Sequence, residues 1–136
     1  MALIHSFYIE ESTSAVLDNS KVVVVADYII LYIKDTLDWI ETIWNGNKKS
    51  NGINYYGSTV IQAGSLYKFA SILNAWEILF SLAPNQFTLQ GSYLIDEGRY
   101  EKLLIDRDEA TRQIGALLLL CKKAEAMKQN IIHEGI

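Results

Sequence analysis

The stretch from Ser20 to Asn45 constrains the fold more than any other part of the chain. Its apolar residues recur at steps of three and four, which is typical of an amphipathic helix. They are Val22, Val25, Ala26, Ile29, Ile33, Leu37, Ile40 and Trp44. The β-branched run Val22–Val25 would suit a buried strand on its own, but the helical pattern continues well past it. We therefore predict one long helix over about 20–45, capped by Asn19 or Ser20 and stopped by Gly46.

Two further helices are predicted downstream. Residues 66–82 are apolar around most of a helical circumference, which predicts a central, buried helix that ends before Pro84. The third helix covers about 107–128. Asp106 and Glu109 precede its apolar face with the spacing of a capping box.

A β-hairpin is predicted between the second and third helices. Its strands cover about 87–95 and 100–105, and Gly98 occupies the position in the loop that needs a positive φ. The chain is therefore expected to be an α+β protein, mainly helical, with three principal helices (about 20–45, 66–82 and 107–128) and this hairpin. Its 136 residues contain no linker-like stretch and no internal repeat, so we predict a single domain, 1–136.

The remaining segments give shorter predictions. Residues 3–9 form either a strand or an arm packed on the core, and 10–19 form a turn followed by a short helix. Residues 47–57, which include the turn signal Asn51-Gly52, form the longest loop. Residues 59–62 form a brief extended piece, and 130–136 form a tail that packs through its isoleucines.

Charge and composition exclude several classes of function. The net charge is −4, and residues 1–45 hold seven acids against two lysines. Direct nucleic-acid binding needs the opposite sign, whereas a basic protein partner is allowed. The longest apolar run is interrupted by Asp27 and is too short for a membrane span. Residues 1–9 lack the basic start of a secretion signal, and a single cysteine suits a reducing cytoplasm. We expect a cytoplasmic protein.

No residue pattern indicates catalysis, a metal or a cofactor. His5 and His133 lie at opposite ends of the chain and neither belongs to a metal-binding motif. Cys121 falls on the inner face of the third helix, where a free cysteine is usually a small hydrophobe. Asp35 and Asp38 have the spacing to share a proton, but we favour the interpretation that they are two solvated carboxylates on an exposed helix face. We therefore expect no enzyme activity.

One edge of the predicted long helix combines rings with carboxylates. The candidate partner-binding residues are Tyr28, Asp35, Asp38, Trp39 and Glu41. Such a surface suits a basic protein, because charge steers the encounter and buried aromatic rings hold it. Alternatively, the rings only cover the seam with a neighbouring helix. A second candidate surface is the loop with Lys48, Lys49, Tyr55 and Tyr56.

Three short segments prompt a comparison with a known family. They are Asn54-Tyr55-Tyr56-Gly57, Leu82-Ala83-Pro84 followed by Phe87-Thr88-Leu89, and the closing His133-Glu134-Gly135-Ile136. With the order of elements, they resemble the small immunity proteins of bacterial contact-dependent growth inhibition and related polymorphic toxin systems. The resemblance implies a non-enzymatic cytoplasmic protein that binds a cognate toxin, often a nuclease, and covers its basic active site. No functional residue carries over from it.

Two alternatives stay open. The rings of the interior could line a pocket for a small apolar ligand, with Asp35 or His133 as its polar group. These rings are Phe69, Trp76, Phe80, Phe87 and Tyr93. Plain core packing explains the same rings. The third possibility is a self-associating structural subunit.

Overall fold

A computed structural model describes residues 3–10 and 22–136. Its elements, in chain order, are β1 (Ile4–Ile9), β2 (Val23–Ala26), α1 (Asp27–Leu37), β3 (Glu41–Trp44), β4 (Lys48–Asn51), β5 (Ser58–Ile61), a 3-10 turn (Ala63–Ser65), α2 (Leu66–Ser81), β6 (Gln86–Leu94), β7 (Arg99–Asp106), α3 (Arg107–Met127) and β8 (Ile131–Glu134). Residues 11–21 lie outside the described part of the chain. They include the predicted short helix before residue 20 and the predicted caps Asn19 and Ser20.

Six of the strands form one antiparallel sheet in the order β2-β1-β8-β5-β3-β4, and β6 pairs only with β7. Strand β8 therefore lies inside the sheet, between β1 and β5. In this register His133 is opposite Phe7 on one side and opposite Thr59 on the other. The tail predicted over 130–136 is thus a central strand.

The α+β class is confirmed, but the prediction of a mainly helical protein is wrong. Of the described residues, 42% are helical and 35% lie in strands, because most of the sheet was not predicted. The helices over 66–82 and 107–128 and the hairpin are confirmed within a residue or two. Asp106 caps α3 as predicted, since its carboxylate accepts a hydrogen bond of 2.9 Å from the Glu109 amide. Gly98 in the hairpin loop has a φ of +63°.

The long helix predicted over 20–45 is the main error. Only Asp27–Leu37 is helical, and a strand lies on each side of it. The β-branched run before Asp27 follows its strand preference and pairs with β1, with Val25 opposite His5. Asn45 and Gly46 do not end a helix: with φ of 51° and 87° they form the turn between β3 and β4. Asn-Gly between two extended segments is the strongest short-range hairpin signal.

The helices pack on each other and on the sheet through alternate strand residues. Phe7 and Ile9 of β1, Val25 of β2 and Ile131 of β8 are fully or almost fully buried, as expected for a sheet with one covered face. Helix α2 is buried along one side only. Its Tyr67, Ile78 and Leu79 are more than half exposed, which corrects the prediction of a central helix.

None of the helices in the described ranges combines the length and apolarity that a bilayer crossing requires.

Candidate functional site

The predicted partner-binding residues lie on a helix, a turn and a strand, and not on one helix. Tyr28 and Asp35 belong to α1, Asp38 is its C-cap, Trp39 follows in the turn, and Glu41 begins β3. Asp35, Asp38, Trp39 and Glu41 are exposed, and Tyr28 is half-buried. The charged groups therefore point outward, as predicted, although the backbone that carries them differs.

The outer face of α1 is a continuous stripe. Tyr28, Leu31, Tyr32 and Asp35 follow one another at helical spacing, and Leu31 and Tyr32 are 47% and 44% exposed. On one side of the stripe, Tyr28 and Leu31 border an opening of about 340 Å³ against the β6–β7 hairpin. We call Tyr28, Tyr32, Asp35, Asp38 and Trp39 together the acidic aromatic surface.

A largely apolar groove lies at the other end of this surface. Its volume is about 380 Å³, and its lining residues are Thr36, Trp39, Lys68, Ser71, Ile72, Ala75, Trp76 and Leu79. Trp39 is 62% exposed at this groove. Trp76 is fixed, because its indole N–H donates a hydrogen bond of 2.9 Å to the Thr36 hydroxyl and its ring meets Tyr32 edge-on. The groove therefore combines a rigid side with one exposed tryptophan.

The rings predicted to line an internal pocket do not converge on one. Trp76, Phe80 and Phe87 form a packed row with centroids 5.6 and 5.9 Å apart. Phe69 is buried beside Phe7. Tyr93 is half exposed and packs on Tyr100 of the neighbouring strand. The proposed polar groups are also separated, since Asp35 is exposed and His133 is fully buried.

The residues of the second candidate surface do not form one continuous surface either. Lys48 and Lys49 are exposed on β4, which is an edge strand, and lysines on an edge hinder pairing with other chains. Tyr56 is 79% exposed. Tyr55 instead turns inward, and its hydroxyl donates a short hydrogen bond to Oδ1 of Asp27.

Sequence reasoning missed a chain of buried polar side chains that starts at this tyrosine. Oδ1 of Asp27 also lies 3.0 Å from Nε2 of His5, and Nδ1 of His5 lies 2.9 Å from Nε2 of His133. Nδ1 of His133 lies 3.1 Å from the Thr59 hydroxyl. His5, Thr59 and His133 have no exposed surface. We call Asp27, His5, His133 and Thr59 the histidine chain.

The donor and acceptor atoms in the histidine chain can be assigned from its Thr59 end. The Asn54 amide donates to the Thr59 hydroxyl oxygen at 2.7 Å, so the hydroxyl hydrogen is free to donate to His133. With both imidazoles neutral, each then carries its hydrogen on Nε2: His133 donates to His5, and His5 donates to the Asp27 carboxylate. Every buried side-chain nitrogen and oxygen in the described residues has a partner.

Burial determines the protonation of these groups. Burial, together with the neighbouring His5, lowers the pKa of His133 to about 3. Burial also lowers the pKa of His5, although the Asp27 carboxylate opposes this shift. For Tyr55, burial and the bond to Asp27 both raise the pKa of the phenol. Both imidazoles are therefore neutral at pH 7.

A carboxylate bonded to an imidazole, which in turn bonds a further group, is the arrangement of a catalytic triad. The histidine chain differs from a triad in its last member. The last member is the hydroxyl of Thr59, which is fully buried and already holds two hydrogen bonds. Burial raises the pKa of Cys121, which makes its thiol less reactive. Within the described residues, no group of three or more His, Cys, Asp or Glu is placed to hold a metal ion.

Two of the three segments that prompted the immunity-protein comparison, 54–57 and 133–136, meet beside the histidine chain. The Gly135 amide donates to the Gly57 carbonyl at 2.8 Å, and the Ile136 amide donates to the Tyr55 carbonyl at 3.1 Å. The sequence carried a signal for the orientation of the two histidines. His5-x-Phe7-x-Ile9 and Ile131-x-His133 alternate at the strand period, which places the histidines on the buried face.

Comparisons with protein-family models, curated proteins and solved structures give no significant match to this chain.

Proposed function

We propose that this chain is an immunity-type binding protein of the cytoplasm, which neutralises a basic toxin, such as a nuclease, by covering its active site. The contact is made by the acidic aromatic surface. One observation carries the proposal: Trp39 is 62% exposed at an apolar groove and follows Asp38 directly in the chain. Exposed tryptophan beside a groove is typical of an interface centre.

The two parts of this surface serve different steps of binding. Asp35 and Asp38 are exposed, so they attract a basic partner over a distance of about 10 Å at moderate salt. Trp39 and the groove then lose water on contact, which holds the complex. Exposed Leu79 and Ile78 of α2 extend the apolar area beside the groove. The carboxylates would occupy positions where a nuclease holds phosphates.

Co-expression with the toxin encoded by the neighbouring gene tests the proposal. The native chain should restore growth and copurify with the toxin as a complex of defined mass. The Asp35→Lys, Asp38→Lys double variant and the Trp39→Ala variant should each lose both effects while keeping the native unfolding temperature.

Matched controls come from the exposed side of α3. Glu125→Lys reverses one exposed carboxylate, and Leu119→Ala truncates an apolar side chain that is 69% exposed. Neither should reduce protection or binding. Absence of complex and of protection with the native chain would end the proposal. If the complex forms but tolerates all variants of the acidic aromatic surface, the contact lies elsewhere and this assignment is wrong.

A further inference from the structure

The histidine chain joins segments that are far apart in the sequence. Its side chains come from β1, the first residue of α1, β5 and β8, and Tyr55 adds the loop before β5. The bonds run across the buried face of the sheet, transverse to the strands. Strand β8 is thus held by side-chain bonds to β1 and β5, in addition to its backbone pairing.

The chain has room for one additional proton. Only one hydrogen fits between Nδ1 of His5 and Nε2 of His133, which are 2.9 Å apart. If His5 gains a proton on Nδ1, it donates to both Asp27 and His133. His133 must then carry its own hydrogen on Nδ1 and direct it to the Thr59 oxygen, and the Thr59 hydroxyl hydrogen must turn away from His133. A second added proton would place one N–H against another, and the bond between the imidazoles would be lost.

The surroundings balance the charge of the first proton only. The carboxylate of Asp27 and the phenol of Tyr55 are the titratable groups bonded to this end of the chain. Phe7 of β1 lies between the sheet and the helices, where its ring contacts the His133 ring and Phe69 of α2. Glu109 of α3 reaches the β2–α1 junction through Gln113, which bonds the Ala26 amide. On β8, Glu134 is exposed and bonds Tyr8.

We propose that the histidine chain is an acid-sensitive latch on β8. With at most one added proton, the latch is closed. Uptake of the second proton breaks the bond between His5 and His133, and β8 separates together with the contacts of Gly135 and Ile136 to the 55–57 loop. This inference concerns regulation of the fold and does not depend on the identity of a binding partner.

Hydrogen exchange of the intact chain tests the latch. From about pH 7.5 to about pH 5, protection of residues 131–136 should fall roughly 30-fold after correction for intrinsic exchange. The reason is that the open form binds the second proton with a pKa near 6.5, whereas the closed latch does not bind it. Residues 41–51 of the β3–β4 hairpin serve as the internal reference and should change little. Equal loss of protection in both segments would overturn the proposal.

Two variants make the test specific. His133→Gln keeps an N–H for His5 but cannot be protonated, so its protection at 131–136 should depend less on pH in this range than that of the native chain, because only His5 still titrates. Tyr8→Phe removes the bond to Glu134 on the other face of the same strand pair and should retain the pH dependence of the native chain. A pH dependence in His133→Gln as large as that of the native chain would contradict the latch.

A spectroscopic measurement on the native chain covers the case in which His133→Gln does not fold. The sequence contains only two histidines, so every imidazole ¹⁵N signal belongs to the latch. At neutral pH both rings should carry hydrogen on Nε2. On acidification the first proton should change the tautomer of His133. Two rings that titrate independently near pH 6.5 would exclude the proposed coupling.

Discussion

Nδ1 of His5 and Nε2 of His133 lie 2.9 Å apart although 128 positions separate these residues in the chain. Each imidazole provides a hydrogen-bond partner to a buried side chain. Removal of His133 therefore leaves unpaired atoms on both sides of it, whereas removal of His5 leaves one at His133, because the Asp27 oxygen keeps its bond from Tyr55. This relationship makes the stability of the sheet depend on two residues that no sequence motif connects.

Replacement of His133 by Leu should destabilise the protein strongly. It leaves Nδ1 of His5 without a donor and the Thr59 hydroxyl hydrogen without an acceptor, and each unsatisfied buried group costs about 1–3 kcal/mol. Urea unfolding at pH 7.5 measures the loss. Tyr8→Phe, which removes an exposed bond to Glu134, should stay within about 0.5 kcal/mol of the native chain. Equal effects of the two substitutions would contradict the buried role of His133.

Stability should fall as the pH drops below about 6.5. The pKa of each histidine is lower in the folded state than in the unfolded state, so the unfolded chain binds more protons in acid. Stability is then fully present above the unfolded pKa of 6.5 and declines by up to about 1.4 kcal/mol per pH unit per histidine. Urea titrations at several pH values between 7.5 and 5 measure the slope.

Carboxylates act in a separate pH window. The guanidinium of Arg112 and the amide of Gln113 lower the pKa of Glu109 to about 2. Its contribution is present above the unfolded value of 4.5 and is lost only as the pH falls below that. A slope between pH 6.5 and 5 therefore reports the histidines. A chain with both histidines replaced by Gln should lose this slope, and its persistence would show another origin.

The two tryptophans beside the groove should respond differently to truncation. Trp76 is half-buried, bonds Thr36 and packs on Tyr32 and Phe80, so Trp76→Ala should cost about 3 kcal/mol. Trp39→Ala removes a ring that is 62% exposed and should change stability by less than about 1 kcal/mol. Thermal unfolding of both variants checks the difference. A large loss with Trp39→Ala would mean that the ring serves the core.

Gly135→Ala should weaken the end of the sheet. A Cβ at Gly135 would collide with the Tyr55 carbonyl oxygen, and such overpacking typically costs about 1–3 kcal/mol. Gly64→Ala is the matched control, because a Cβ there meets nothing within 4 Å. The control should be neutral or stabilising by up to about 1 kcal/mol. Calorimetry of the two variants compares them, and equal unfolding temperatures would contradict the clash.

Local signals predicted the elements from α2 to α3 and missed much of the sheet on either side of them. The caps and breakers around α2 and α3, together with Gly98, act within a few residues, so a sequence shows them directly. In residues 20–45, the helical periodicity conflicts with the strand preference of the β-branched residues. Pairing with β1 makes Val23–Ala26 a strand. Because that pairing is a tertiary contact, the periodicity alone could not show it.

The candidate sites differ in the same way: local sequence indicates one of them, and the other forms only through tertiary contacts. Exposure of Asp35 and Asp38 was predictable, since unpaired carboxylates rarely lie inside, and Trp39 lay beside them on the same edge of the predicted helix. The histidine chain was not, because its members come together only when β8 enters the sheet. Alternation around His5 and His133 gave their orientation, and it could not give the partner of either ring.

The interior position of β8 has a consequence for synthesis. Without β8 the sheet falls into two pieces, β2 with β1 and β5 with β3 and β4. A nascent chain that has not yet reached residue 131 cannot join them, whatever helices it has already formed. Closure must therefore wait until nearly all of these residues have left the ribosome, and its long sequence separation predicts slow folding. Until then, the facing edges of β1 and β5 stay open to wrong pairing.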